Sequence, residues 1–128
     1  MSQIMKKTRE LRADPNVHYN CCQATLIPFS KRCGIDESTA FRAGTFFNTG
    51  MRHGSTCGAV TGALMALGMA GAGDEAAKTL MREFQEKNGC LECAGLLKKA
   101  KENGEERKCH CDRMVFEAVE MTEKLLKK

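Results

Sequence analysis

The sequence predicts an all-α fold, a single compact bundle of about five to seven helices around a buried central helix rich in Gly and Ala. Three observations carry this expectation. Helix-starting and helix-stopping residues recur along the whole chain, and no stretch alternates apolar and polar residues as a half-buried strand would. One segment, Cys57–Met69, is apolar nearly all round, which suits a helix enclosed by others.

The elements follow in order. Ser2–Ala13 reads as a short polar helix with Ile4, Thr8 and Leu11 on one side, ended by Asp14-Pro15 because the residue before a proline avoids the α region. Asn20 is a candidate N-cap for a second helix whose apolar face is Cys22, Leu26, Phe29 and Cys33. Pro28 should kink this helix, and Gly34 should close it. Asp36 caps a third helix through Ala43, and Gly44–Gly58 reads mostly as loop. Gly71-Ala72-Gly73 ends the Cys57–Met69 helix, and Asp74 caps the next. That helix buries Ala77, Leu80, Met81 and Phe84 and stops at Asn88-Gly89. Leu91–Lys101 gives a further short helix, broken at Asn103-Gly104. Asp112–Lys127 closes the chain with a stripe of Met114, Val115, Ala118, Val119, Thr122, Leu125 and Leu126; Lys124, Lys127 and Lys128 suit the negative end of its dipole.

A chain of 128 residues fits one domain, here 1–128, able to bury about two-thirds of its unfolded surface without disulfides. The net charge of +4 is modest, and its basic residues are interleaved with acidic ones. With one Tyr, no Trp and no basic run flanking aromatics, a nucleic-acid surface is not expected. The N-terminus is charged where an export signal needs an apolar stretch. The longest apolar run, Ala59–Ala72, is interrupted by Thr61 and three glycines and falls short of the roughly 20 residues a membrane span needs. A cytoplasmic protein without membrane insertion is therefore expected, with its thiols reduced.

That compartment gives the eight cysteines their meaning. They fall as Cys21-Cys22, Cys33, Cys57, Cys90-x2-Cys93 and Cys109-x-Cys111. Cytosolic cysteines in such sets hold metal or exchange electrons more often than they staple a fold. Several sit at expected helix starts, where unpaired amides and the dipole favour thiolate: Cys21/Cys22, Cys57, Cys90/Cys93, and Cys111 just before the last helix. Cys33, on an apolar face, reads as a small core hydrophobe instead. His18 and His53 read as exposed loop residues.

Asn20-Cys21-Cys22-Gln23-Ala24 together with Cys57-Gly58-Ala59-Val60-Thr61-Gly62 resembles the redox-active protein family labelled by the pattern C_GCAxxG_C_C. The resemblance runs from about residue 20 to the C-terminus and leaves 1–19, an N-terminal helix and linker, outside it. It implies four characteristic cysteines, Cys21, Cys57, Cys93 and Cys111. Cys93 is selected by the following Leu96-Leu97, and Cys111 by its place at the opening of the last helix. Cys22, Cys90 and Cys109 stand beside family positions as alternative ligands. A related domain in the split-Soret type of cytochrome is thought to hold an iron–sulfur centre through cysteines. The chain has no CxxCH, so covalent c-type haem is not expected.

Four functions stay open on this reading. In the first, Cys21, Cys57, Cys93 and Cys111 hold an iron–sulfur cluster, with Gly58 and Gly62 permitting close backbone approach to it or to a neighbouring helix. In the second, the same cysteines work without metal as a thiol–disulfide oxidoreductase, with Cys90 resolving Cys93. The third is structural zinc, held by the same four or by Cys90, Cys93, Cys109 and Cys111, whose two pairs are fifteen residues apart. The fourth is a transporter-associated accessory module whose cysteines only pack. The first two imply a redox partner protein; a homo-oligomer is compatible with all four.

Overall fold

A computed structural model describes residues 1–127. Seven α-helices follow one another: α1 (Gln3–Ala13), α2 (Cys21–Ser30), α3 (Glu37–Gly44), α4 (Gly58–Met69), α5 (Asp74–Asn88), α6 (Cys93–Glu102) and α7 (Arg107–Leu126). A 3-10 turn at Lys31–Cys33 and a tight turn at Gly50–Gly54 raise the number of helical segments a little above the expected range. Among the described residues there is no strand, only an isolated antiparallel bridge between Thr56 and Glu92.

The core confirms a central Gly/Ala helix. Gly58, Ala59, Val60, Gly62, Ala63, Ala66 and Leu67 of α4 are all buried. Helix α2 covers α4 most closely, with α7 and α5 on its other sides. Phe29, Leu26, Leu80, Phe84, Met114, Val115 and Val119 fill the spaces between them and are almost fully enclosed. Each such side chain stabilises the fold by about 1.5–3 kcal/mol relative to exposure.

The α2–α4 contact is close because of two glycines. A Cβ added at Gly62 would lie 2.6 Å from the Cys22 carbonyl oxygen and 2.9 Å from Thr25 Cβ. At Gly58 it would meet Phe47 O at 3.0 Å and Cys21 Cβ at 3.2 Å. The GxxxG spacing thus lets α4 lie almost on the α2 backbone. This is the helix-contact role that the sequence left beside a cofactor role.

Several boundaries differ from expectation, each for a local reason. Pro28 does not break α2, which runs through it and gives way only to the 3-10 turn, closed by Gly34 in the left-handed region (φ 74°). Gly73, not Asp74, is the N-cap of α5; Asp74 and Glu75 fill the first turn, where their charge meets the positive end of the dipole. Helix α6 starts at Cys93 rather than Leu91, because Leu91 and Glu92 are held in the bridge. Helix α7 starts at Arg107, so Cys109 and Cys111 lie inside it and not just before it.

Candidate functional site

Cys21 is the first residue of α2, and its position is fixed by a reciprocal cap. The Gln23 amide donates to the Asn20 side chain at 2.8 Å, and the Asn20 amide donates to the Gln23 side chain at 3.0 Å. The spare amide groups then tie this cap to the end of α3, through Asn20 to Gly44 O (3.0 Å) and Gln23 to Phe41 O (2.9 Å). Asn20-Cys21-Cys22-Gln23 is therefore a capping box with a thiol at its first helical position.

Cys57 and Cys93 are brought side by side by the short antiparallel bridge. The Cys57 amide donates to Leu91 O at 2.8 Å and the Cys93 amide to Ser55 O at 2.7 Å. The two cysteines follow Thr56 and Glu92, the bridge partners. Cys57 is the N-cap of α4, and Cys93 opens α6. The loop before them is wound into a left-handed turn, with φ of 49° at Thr49, 61° at Gly50, 58° at Met51 and 71° at Arg52. Left-handed backbone costs roughly 1–2 kcal/mol per non-glycine residue. Gly50 is required there, since a Cβ would lie 2.6 Å from that of Cys93.

Cys111 arrives from α7 and completes a group of four. The Cys21 thiol interacts with the Cys111 sulfur, and Cys57 and Cys93 lie close enough to both Cys111 and one another for their charges to interact. Cys57 is buried, while Cys21, Cys93 and Cys111 are half-buried. Two guanidiniums flank the group. Arg12, from α1, acts on Cys21 and Cys111; Arg107, one turn before Cys111 on α7, acts on Cys111 and Cys93.

The electrostatics split the four unequally. Cys111 is lowered to about 6, foremost by the hydrogen bond from the Cys21 thiol and further by Arg12 and Arg107. Cys21, the donor of that bond, is held well above the ordinary thiol range. Burial pushes Cys57 up to about 11 even though the Ala59 and Val60 amides face its sulfur, and burial also raises Cys93. The expectation that helix starts would make these cysteines thiolates fails for Cys21, Cys57 and Cys93. Loss of water costs the buried anion more than a helix terminus returns. The one thiolate is the cysteine farthest into its helix.

The other cysteines stand apart from this group in different ways. Cys22 is fully enclosed, its sulfur 3.7 Å from Met65 Sδ, and burial pushes it up to about 12. Cys33 was expected in the core, but the 3-10 turn leaves it half-buried and no part of the hydrophobic cluster. Of the two, only Cys22 is fully buried. Cys90 turns its sulfur toward Glu92 O (3.8 Å) and Gly95. Cys109 is exposed beside Glu106, because two helical steps rotate it roughly 200° from Cys111. His18 and His53 are exposed.

Arg12 and Arg107 were not found by sequence reasoning. Arg107 could have been, since it precedes Cys111 by four residues and shares its helix face once α7 is started early enough. Arg12 carries no such signal. Its Nε lies 2.6 Å from Asp112 and its Nη1 donates to Tyr19 O at 2.8 Å, both contacts made by tertiary packing.

Among the described residues no group of three or more His, Cys, Asp and Glu side chains is placed to hold a metal ion. No helix among them is long and apolar enough to cross a membrane. No curated protein and no solved structure matches the chain significantly. Residues 19–125 match the family described as "Putative redox-active protein (C_GCAxxG_C_C)", and the chain belongs to that family.

Proposed function

We propose that Cys21, Cys57, Cys93 and Cys111 hold an iron–sulfur cluster and that the protein carries electrons in a reducing, cytoplasmic setting. The observation that carries this reading is that four thiols from four different helices are near enough for their charges to interact, and four is the usual number of thiolate ligands in such clusters. The redox description of the family favours an electron-carrying cluster over structural zinc. When bound, the cluster accepts and returns single electrons.

The chain's own residues supply the rest. The Ala59 and Val60 amides, at the start of α4, favour negative charge on the Cys57 sulfur. Arg12 and Arg107 offset the charge of Cys21, Cys93 and Cys111. Because three of the four thiols are protonated at neutral pH, loading must release protons and should strengthen as pH rises from 6 to 8.

The test is anaerobic purification and reconstitution, with a visible spectrum and assays of iron, zinc and acid-labile sulfide. Iron and sulfide in the wild type, lost in Cys57→Ser and kept in Cys33→Ser, are expected. A colourless, iron-free protein of native helicity sinks the proposal, and loss of colour in Cys33→Ser would show the ligand set to be wrong.

A second reading rests on the Cys21–Cys111 pair. The Cys111 thiolate would attack a partner disulfide and release one partner thiolate. Cys21 would then lose its proton and attack Cys111 in the mixed disulfide, leaving Cys21–Cys111 oxidised and the partner a dithiol. It differs from the Cys90–Cys93 couple in pairing Cys111 with Cys21, the thiol that acts most strongly on it. Trapping of a partner by Cys21→Ser, but not by Cys90→Ser, in metal-free protein distinguishes the two couples.

A further inference from the structure

A cleft of about 620 Å³ is walled by the end of α1, the segment that follows it and the start of α7, and it includes the two guanidiniums that act on Cys111. Its size is within the range of small-molecule sites. Leu11, Pro15, Val17 and Tyr19 give it an apolar wall, and Val17 stands 39% exposed at its edge. Arg12, Arg107 and Lys108 also line it, against the single carboxylate of Asp14.

The charges there are unequally committed. Asp14 turns one carboxylate oxygen back onto the Asn16 and Val17 amides at 2.8 and 3.1 Å, forming the turn that shapes the wall. Arg12 and Lys108 share Asp112, at 2.6 and 3.1 Å. Arg107 has no carboxylate partner among the described residues. It is exposed, lines the cleft, and acts on Cys111 one turn further along α7. The one cation free to take a second anion therefore lies between the cleft and the cysteine centre.

We propose that this cleft is a binding site for a small organic anion, a carboxylate or similar head on a compact apolar body. Arg107 takes the head and the Pro15–Val17–Tyr19 wall takes the body, which brings the ligand within one side chain of Cys111. Inorganic phosphate lacks the apolar body, and a neutral aromatic of the same size lacks the head, so both fit less well. The inference does not depend on what the four thiols hold.

The probe is 4-fluorobenzoate, followed by ¹⁹F NMR of the probe during titration with the full-length protein. Saturable binding is expected, at least about ten-fold tighter than for 4-fluorobenzyl alcohol, with about ten-fold loss in Arg107→Gln. Val17→Asp, which places a like charge at the opposite edge, should weaken binding similarly. Equal binding of the neutral alcohol, equal competition by inorganic phosphate, or unchanged affinity in both variants would overturn the proposal. Circular dichroism of each variant separates lost binding from lost fold. Iron is assayed in the same samples: benzoate binding without iron loading rejects the cluster alone, and iron loading without benzoate binding rejects the cleft alone.

Discussion

The Cys57 and Cys111 ends of the centre sit in one site but are made from different materials. Around Cys57 the backbone does the positioning. The Thr56–Glu92 bridge holds the segment, the Ala59 and Val60 amides face the sulfur, and Gly58 and Gly62 let α4 settle onto α2. Around Cys111 side chains do it, with Arg12 brought from α1, Arg107 from the preceding turn and the Cys21 thiol from α2. The backbone-built end is buried and keeps its thiol protonated; the side-chain-built end borders a cleft and keeps a thiolate. A motif in a few consecutive residues can encode the first. Only the assembled fold makes the second.

The largest effect should come from disturbing the backbone end. Gly62→Ala pushes a methyl against the Cys22 carbonyl and Thr25, neither of which can rotate away. The two helices must separate, and we expect a loss of about 2–3 kcal/mol in urea unfolding. Gly68→Ala is the control on the same helix. Nothing lies within 4 Å of the added methyl, so that variant should gain about 0.5 kcal/mol from helix propensity alone. Equal destabilisation by the two variants would show that the α2–α4 contact does not set the site.

At the side-chain end, Arg12→Gln removes a nearly buried guanidinium from Asp112 and from Tyr19 O. Asp112 keeps Lys108 and is partly in solvent, so the cost should be nearer 1–2 kcal/mol than the full penalty of an orphaned buried charge. The same variant should move Cys111 upward. In reduced, metal-free protein at pH 7, iodoacetamide should modify Cys111 ahead of Cys21, Cys57 and Cys93, with a midpoint near the value of about 6 given by its surroundings. Arg107→Gln and Cys21→Ser should each raise that midpoint. Mass spectrometry of the alkylated peptides reads all of these, and a midpoint unmoved by both Arg107→Gln and Cys21→Ser would refute the side-chain account.

This contrast also explains what could be read from the sequence. The all-α class, the apolar α4, the Gly34 cap and the α5 stop at Gly89 depend on neighbours a few residues away, so local pattern was enough. The four cysteines were selected through motif context, and two of those contexts have local explanations: Asn20-x-x-Gln23 is a capping box and Gly58-x-x-x-Gly62 a helix contact. The placement of Cys33 was missed because helical spacing was extended past Pro28, where the chain tightens into a 3-10 turn. The left-handed turn at Thr49–Arg52 was invisible, since Thr, Met and Arg carry no preference for positive φ and tertiary packing imposes it. Arg12 lay outside the family resemblance altogether, yet it reaches the centre.

The smallest expected effect tests whether the two ends oppose each other in their response to pH, again in reduced, metal-free protein. Cys111 is depressed below its unfolded value, so between about pH 9 and 6 the unfolded chain binds more protons, and stability from this group falls as pH falls. Cys22 and Cys57 are raised to about 12 and 11, so above pH 9 the folded chain binds more protons and their contribution is lost as pH rises. His110 is held neutral by burial, despite Glu105 3.6 Å from its Nδ1, and adds a further loss as pH falls below about 6.5. Stability should therefore peak near pH 9. Cys111→Ser should flatten the arm between pH 6 and 9, and His110→Gln should flatten only the part below 6.5. Urea midpoints measured across the range separate the contributions. If Cys111→Ser leaves the acid arm intact, the thiolate does not distinguish the two ends, and the guanidiniums beside it are structural alone.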